Sequence, residues 1–589
     1  VSHGQNKYSP VKYSKSLSIL LAALLTLCGT ASTSLAKGLV RAVCFVPSDR
    51  TCLPDYEERL DRVMKEVQRF YAEGMAAAGY PDKGFALDLD DAGKTRIHVV
   101  RGAYPAKTYG RDAWDAVRNE VKAGLKTAGL DMDQETVVIF QVLLDWKDGK
   151  ANEMGPYVGA GSHLSGTAWV YDDAKLDPKL LASTEPGGWY GGPCSIGEFN
   201  SHYIGGVAHE LGHAFGLPHA CQTKADRHKG AALMGHGNHT YGQQLRNEGP
   251  GTFLTQTSAM MLARTRPFAG DLPDGKQQPV CEVTEIQAAF ANGMLVLSGK
   301  IKASPAVYGI AAYNDPARRE SDYDAVGWTC PVDPQGQFQL KIGDLETGTY
   351  QLRLIACHEN GAKSRFAYDY EVDKDGRPPL ETFEYPTLLN KAIDAYQASD
   401  REGMLAAIDT LENRYGHIQT VKKKTASLRR LAEPIKLESA KAIPDSVQQI
   451  DLSTIISIHE SVGWRRPMRG QTPIESDRGC FLEVGGEVFA SGLYAHAPSR
   501  WAFDLGRKWK TLNFGYGLKD GFDGSVVFII LKDGKEAFRS HIVKEHQVQR
   551  SQIDVTDTET LELIVEDGGD GTSRDWGLWL EPVLRRHTE

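Results

Sequence analysis

The stretch His209-Glu210-Leu211-Gly212-His213-Ala214-Phe215-Gly216-Leu217-Pro218-His219 decides how the chain is read. His209 and His213 stand at i and i+4, so on a helix they project from one face, about 6 Å apart along the axis. Two imidazoles so placed can bind one zinc ion at about 2.0–2.1 Å each. Glu210 lies too far round the helix to ligate but within reach of a water at the metal. Gly216 can take the positive φ that ends the helix and turns the chain back. Pro218 stops helix propagation, and His219 then arrives as a third ligand. Three protein ligands leave the fourth position open, as a catalytic zinc requires. An isolated His-Glu-x-x-His is common by chance, but adding Gly216 and His219 lowers the expectation to roughly 10⁻⁴ per chain.

Working outward, the residues before this motif alternate strand and helix. Leu39 to Phe45 reads as a strand. Leu60, Val63, Met64, Val67, Phe70 and Tyr71 follow at helical spacing. Arg96 to Val100 is a second strand, and Trp114, Val117, Val121 and Leu125 mark a second amphipathic helix. Thr136 to Leu143 is a continuous apolar run, suited to a central strand covered on both faces. Gly166 to Tyr171 is a further short strand. This order predicts an α/β sheet with helices packed on it.

By this motif and this order, residues 37–268 resemble the metzincin metallopeptidases, whose extended motif is H-E-x-x-H-x-x-G-x-x-H followed by a Met-turn. Met234, in Ala232-Leu233-Met234-Gly235-His236-Gly237, stands fifteen residues after His219 and is the matching Met. The resemblance implies an α/β metzincin fold, a Zn²⁺ cofactor held by His209, His213 and His219, and Glu210 as the catalytic general base. It also implies Met234 as a floor beneath the metal and Gly166–Tyr171 as the edge strand that pairs with extended substrate. Thr167 and Trp169 become candidate substrate contacts. Tyr241 is a candidate oxyanion stabiliser, although it lies seven residues past the Met where the relevant subfamilies place a Tyr two past. His236 and His239 are favoured as wall or surface residues, because a fourth protein ligand would close the site. Trp189 and Tyr190 either line a cleft or pack in loops.

Beyond the motif the chain changes character. Residues 276–375 consist of short alternating segments broken by Asn292-Gly293, Pro334-Gln335-Gly336 and Gly348, which reads as an Ig-like β-sandwich whose plainest role is a spacer. Residues 376–440 hold three amphipathic helical stripes and form a short helical connector. From about 447 to 587 the chain is again β-rich with Gly-Asp turns. The segments Gly492–Ser499, Phe503-Asp504-Leu505, Gly524–Phe528, Phe538-Arg539-Ser540 and Asp567–Gly571 resemble the NPCBM family of putative carbohydrate-binding modules. That resemblance implies a second β-sandwich, a galactose-type glycan as partner and room for a structural Ca²⁺. Asp520, Asp523, Asp567 and Asp570 are candidate oxygen ligands, although Asp-Gly is first of all turn chemistry. Trp464, Trp501, Trp576 and Trp579 are candidate sugar platforms.

Residues 1–36 have the form of a signal peptide. Lys7, Lys12 and Lys15 precede the apolar run Leu17–Leu27, and Ser34-Leu35-Ala36 supplies small residues for cleavage near Ala36. A secreted, periplasmic or cell-surface location follows, without a transmembrane segment in the mature chain. Export permits disulfides, and Cys44–Cys52 and Cys194–Cys221 would close short loops. With 67 basic and 76 acidic residues the formal net charge is −9, without the basic footprint of a nucleic-acid binder. At 589 residues, 41% hydrophobic and 24% charged, the chain is long enough for several ordinary globular domains.

Together these readings predict a secreted zinc endopeptidase acting on glycoproteins, most specifically on O-glycosylated, mucin-like substrates beside a glycosylated Ser or Thr. Three rivals stand beside it: a carbohydrate-binding adhesin with an inactive peptidase domain, a general metalloprotease without a glycan requirement, and a cell-wall peptidase.

Overall fold

A computed structural model describes residues 38–316, 322–474 and 479–586. The expected signal peptide lies outside the described residues. Among the described residues no helix is long and apolar enough to cross a membrane.

The first unit is a six-stranded sheet built from β1 (Leu39–Val46), β2 (Ala86–Leu87), β3 (Ile97–Arg101), β4 (Thr136–Gln141), β5 (Val158–Gly161) and β6 (Gly166–Tyr171). Strands β2 and β3 both pair with one edge of β1, and the order then runs β1-β4-β6-β5. All pairings are parallel except β5 on β6. Every residue of β4 is buried, as its β-branched and apolar run requires of a strand covered on both faces.

Three helices clothe this sheet: α1 (Tyr56–Ala77), α2 (Trp114–Thr127) and α3 (Ile196–Ala214). Helix α1 places Leu60, Val63, Met64, Val67 and Tyr71 in the core. Tyr71 donates its hydroxyl to the carbonyl of Ala208 at 2.8 Å, tying α1 to α3.

The strand order corrects one expectation. Gly166–Tyr171 is an inner strand, paired on both sides, and the terminal strand of the sheet is β5. Antiparallel β5 is thus interposed between the expected edge and the solvent.

The next unit is a sandwich of two antiparallel sheets. One contains Val280–Ala291, Met294–Ser304 and Gln337–Ile342, and the other Val326–Pro331, Val307–Pro316, Gly348–His358 and Lys363–Val372. It is not a loose spacer. Its Ala311, Tyr313, Ala325 and Cys357 are buried in the same core as the α/β unit. Tyr308 donates to the carbonyl of Met260 at 2.6 Å, and the Tyr313 hydroxyl meets the Met261 sulfur at 3.0 Å.

Helices α4 (Glu381–Gln397), α5 (Arg401–Tyr415) and α6 (Gln419–Leu431) follow. They share a core through Leu389, Ile393, Met404, Ile408, Leu411, Val421 and Leu428, completed by Phe481 and Val488 of the last unit. That unit packs two five-stranded antiparallel sheets face to face. Its centre is aromatic: Trp501, Trp509, Phe514, Phe528 and Trp579 are all buried.

Neither expected disulfide is formed. The eight cysteines of the described residues are free. Cys44 and Cys52 lie side by side, but Cys194 sits in a β-hairpin before α3 whereas Cys221 pairs across to Val326.

Candidate metal centre

Helix α3 begins where its sequence says it should. Ser195 and Glu198 form a capping box, with the Ser195 hydroxyl accepting from the Glu198 amide at 3.1 Å and the Glu198 carboxylate accepting from the Ser195 amide at 2.8 Å. The helix ends in a Schellman arrangement: the Gly216 amide donates to the His213 carbonyl at 2.8 Å and the Leu217 amide to the Gly212 carbonyl at 3.0 Å. Gly216 takes φ 80°, a conformation that costs a side-chain-bearing residue about 1–2 kcal/mol. The reversed chain then returns His219 to the helix face that carries His209 and His213.

The three imidazoles converge. Nε2 of His213 stands 3.2 Å from Nε2 of His209 and 3.0 Å from Nε2 of His219. Four-coordinate tetrahedral zinc with bonds of about 2.0–2.1 Å separates its ligand nitrogens by about 3.3 Å, so the spacing suits one shared cation. The far ring nitrogens strengthen the fit. His209 Nδ1 meets the carbonyl of Leu233 at 2.8 Å and His213 Nδ1 the carbonyl of Leu217 at 2.9 Å. A carbonyl can only accept, so each Nδ1 carries the proton and each Nε2 presents a lone pair inward. Burial, followed by the neighbouring His213, pushes His209 down to about 3, which keeps it neutral. Among the described residues, these three form the one group of His, Cys, Asp or Glu that converges at metal-binding distance.

Glu210 lies on the adjoining face of α3, beside a cavity of about 600 Å³. Burial raises its carboxyl to about 7, against the opposing pull of the Gly159 backbone amide on β5. Met234 is buried, and its sulfur packs directly on Gly212, where a β-carbon would stand 2.5 Å away. Any side chain at position 212 would push Met234 out of this place.

The remaining site residues fall differently. Trp169 is buried and meets Trp114 of α2 edge-on, with ring centroids 6.4 Å apart. Thr167, two residues earlier on the same face of β6, is buried as well. Neither reaches the cleft. Tyr241 is 4% exposed and donates its hydroxyl to Glu66 of α1 at 2.8 Å, with its ring against Phe70, so it is no oxyanion stabiliser.

The cavity beside Glu210 is lined instead by residues the motif does not mark: Arg111, Asn152, Glu153, Tyr190, His202 and Tyr203. Glu153 accepts from Arg111 at 3.0 Å and from the Tyr203 hydroxyl at 2.9 Å. Tyr190 stacks on His202 with centroids 3.6 Å apart. Trp189 and Tyr190 do line this cleft, which settles between the two readings of them. His239 meets His202, ring nitrogen to ring nitrogen, at 3.0 Å, and is a wall residue.

In the last unit, Trp501, Trp576 and Trp579 are buried and cannot serve as sugar platforms, whereas Trp464 is 49% exposed. The four aspartates each have hydrogen-bond or ion-pair partners within the unit. Asp520 accepts from the amides of Gly485 and Gly486, and Asp567 from those of Gly569, Asp570 and Gly571. Asp570 accepts from Ser525, and Asp523 pairs with Arg574. The Asp567 contacts are the turn chemistry of Asp-Gly sequences, whereas the other three aspartates tie together segments distant in the chain.

These features define a multidomain, β-rich chain with a three-histidine site in an α/β unit and a sandwich at its C-terminal end. Residues 448–585 match the NPCBM/NEW2 domain family. Over a larger span the chain is similar to wild-type OgpA of Akkermansia muciniphila, with 25% identity and a TM-score of 0.50, covering 59% of this chain and 96% of that one. A catalytically inactive OgpA in complex with an O-glycopeptide substrate (glycodrosocin) has 24% identity and a TM-score of 0.50, covering 57% and 94%. A CBM51 module from Clostridium perfringens GH95, in complex with methyl-galactose, has 21% identity and a TM-score of 0.21, covering 23% and 99%. No curated protein sequence matches the chain.

Proposed function

We propose that this chain is a secreted, zinc-dependent endopeptidase of metzincin type that cuts O-glycosylated, mucin-like protein beside a glycosylated Ser or Thr. The observation that carries the reading is the convergence of the Nε2 atoms of His209, His213 and His219 beside helix α3, which also carries Glu210 on the wall of a polar cavity. His209, His213 and His219 would hold the ion, and Met234 would lie beneath them. Bound there, Zn²⁺ would supply Lewis acidity, lowering the pKa of water to about 7 and polarising a carbonyl.

The rest of the chemistry belongs to the chain's own residues. A carboxyl at about 7 can both take up and release a proton near neutral pH. Glu210 would therefore remove the proton of the attacking water and hand it to the leaving amine. As the terminal strand of the sheet among the described residues, β5 offers its outer edge beside Glu210, along which an extended peptide can add as a further strand. Mucin stalks are extended and need no unfolding to lie there.

The cavity supports a sugar on that peptide. Charged and amide groups at Arg111, Asn152 and Glu153 stand beside the aromatic faces of Trp189 and Tyr190. Such a lining suits a ligand with hydroxyls on its rim and apolar ring faces. That OgpA was crystallised with an O-glycopeptide agrees with this choice of substrate. A C-terminal module tethered to the site would raise local substrate concentration without touching the chemistry.

Metal analysis joined to proteolysis tests the proposal. The purified chain is expected to carry about one zinc per molecule, to lose cleavage of an O-glycoprotein on chelation and to regain it with added zinc. Unaltered cleavage by the metal-free chain would overturn the reading.

A further inference from the structure

We infer that Tyr323, a residue of the β-sandwich, is a positioning residue for His219, which makes the sandwich part of the metal centre. The inference rests on the proposed zinc site and concerns how its third ligand is held. His209 and His213 are carried on a helix, where the pitch fixes their direction. His219 comes after that helix has ended, in a loop without regular structure, so its direction must be set by what packs on it.

What packs on it comes from far along the chain. The Tyr323 ring lies face to face with His219, centroids 3.7 Å apart and planes 24° from parallel. The same ring runs nearly parallel to His209, at 6.3 Å and 7°, and to His236, at 5.9 Å and 16°. It therefore forms an aromatic wall on His219 that runs beside His209 and His236. A stacked ring limits both tilt and sideways movement of an imidazole, and the groups that orient a metal ligand tune its affinity.

The loop on either side of His219 is clamped by the same unit. After it, the Cys221 amide donates to the carbonyl of Ala325 at 2.8 Å, and Cys221 pairs with Val326 as an isolated parallel bridge. Before it, the Lys363 ammonium donates to the carbonyl of Gly216 at 2.9 Å. Between these, the Ala220 amide donates to the Met234 carbonyl at 3.0 Å, which couples the loop to the floor of the site. The loop from Gly216 to Cys221 is thus fixed at both ends by the sandwich, with Tyr323 on the ligand between them.

The test is metal affinity of the full chain, measured on the metal-free protein by competition with a chromophoric chelator, with Co²⁺ absorption as a second readout. Tyr323→Ala is expected to bind zinc about 10–100-fold more weakly and to alter the Co²⁺ spectrum. Tyr323→Phe keeps the stacked face and is expected to stay within about threefold of the native chain. Tyr323→Leu keeps bulk without an aromatic face, so it replaces the alanine variant if that chain does not fold. Native affinity in the alanine or leucine variant would overturn the inference, as would a phenylalanine variant as weak as alanine. Failure of the native chain itself to bind zinc would instead overturn the proposed function, so the two failures are distinguishable.

Discussion

Helix α3 turns its polar residues toward a cleft, whereas the C-terminal sandwich turns its aromatic residues into its own centre. His213 and Glu210 of α3, with His219 just beyond it, are half-buried on a scaffold packed by Tyr71 and Met234. In the sandwich, Trp501, Trp509, Trp576 and Trp579 are buried and Trp464 alone among its tryptophans stays exposed. The difference teaches that residue type does not assign a role by itself. A buried tryptophan contributes its large area to folding, of order 3–5 kcal/mol on truncation, and presents nothing to a ligand.

The contrast can be broken at several points. The largest expected effect is at Glu210. Glu210→Gln should lower peptide turnover by about 10²–10⁴-fold while zinc content and glycan binding by the C-terminal module stay unchanged. Retained turnover in a steady-state assay would remove Glu210 from the chemistry.

Next comes the module's core. Trp579→Ala should destabilise the C-terminal sandwich by about 3–5 kcal/mol in a denaturant melt while leaving cleavage of a short peptide intact. Trp464→Ala should leave stability within about 0.5 kcal/mol and weaken glycan retention on an affinity matrix. Equal melting of the two variants would dissolve the distinction between buried and presented aromatics.

The smallest effect concerns Asp575 in the same module. Burial, with Asp567 and Asp570 adding to it, raises its carboxyl to about 6 against the hydrogen bond from the Ser525 amide. The folded module therefore holds this proton to higher pH than the unfolded chain does. Its stabilising contribution is complete below the unfolded value of about 3.9 and is lost as pH rises through about 6. Melting temperatures compared between pH 7 and pH 5 should show a gain in the native chain that is smaller in Asp575→Asn. Identical pH dependence in the two would refute the assignment.

Much of the α/β unit is legible because helix and strand periods are local. Thr136 to Gln141 reads as a central strand from its apolar run alone, and Gly216 from the turn it must make. The edge strand is not legible. Val158-Gly159-Ala160-Gly161 has one β-branched residue and no alternation, so the richer Gly166–Tyr171 segment takes its place in a sequence reading. The cavity residues Arg111, Glu153 and His202 are likewise silent, since a turn, a hairpin strand and a helix far apart in sequence bring them together. Tyr323 lies furthest from any local signal, because its role depends on how the sandwich docks against the loop after α3.

The central claim is tested most directly by one peptide made in two forms, with and without GalNAc on a single Thr, each incubated with the zinc-loaded chain and read by mass spectrometry. A sugar that hydrogen-bonds the lining of this cavity would add transition-state binding that the plain peptide lacks, and about 1.4 kcal/mol of it is tenfold in rate. The account predicts cleavage beside the glycosylated Thr and orders of magnitude less on the plain peptide. Equal cleavage of both forms would contradict it.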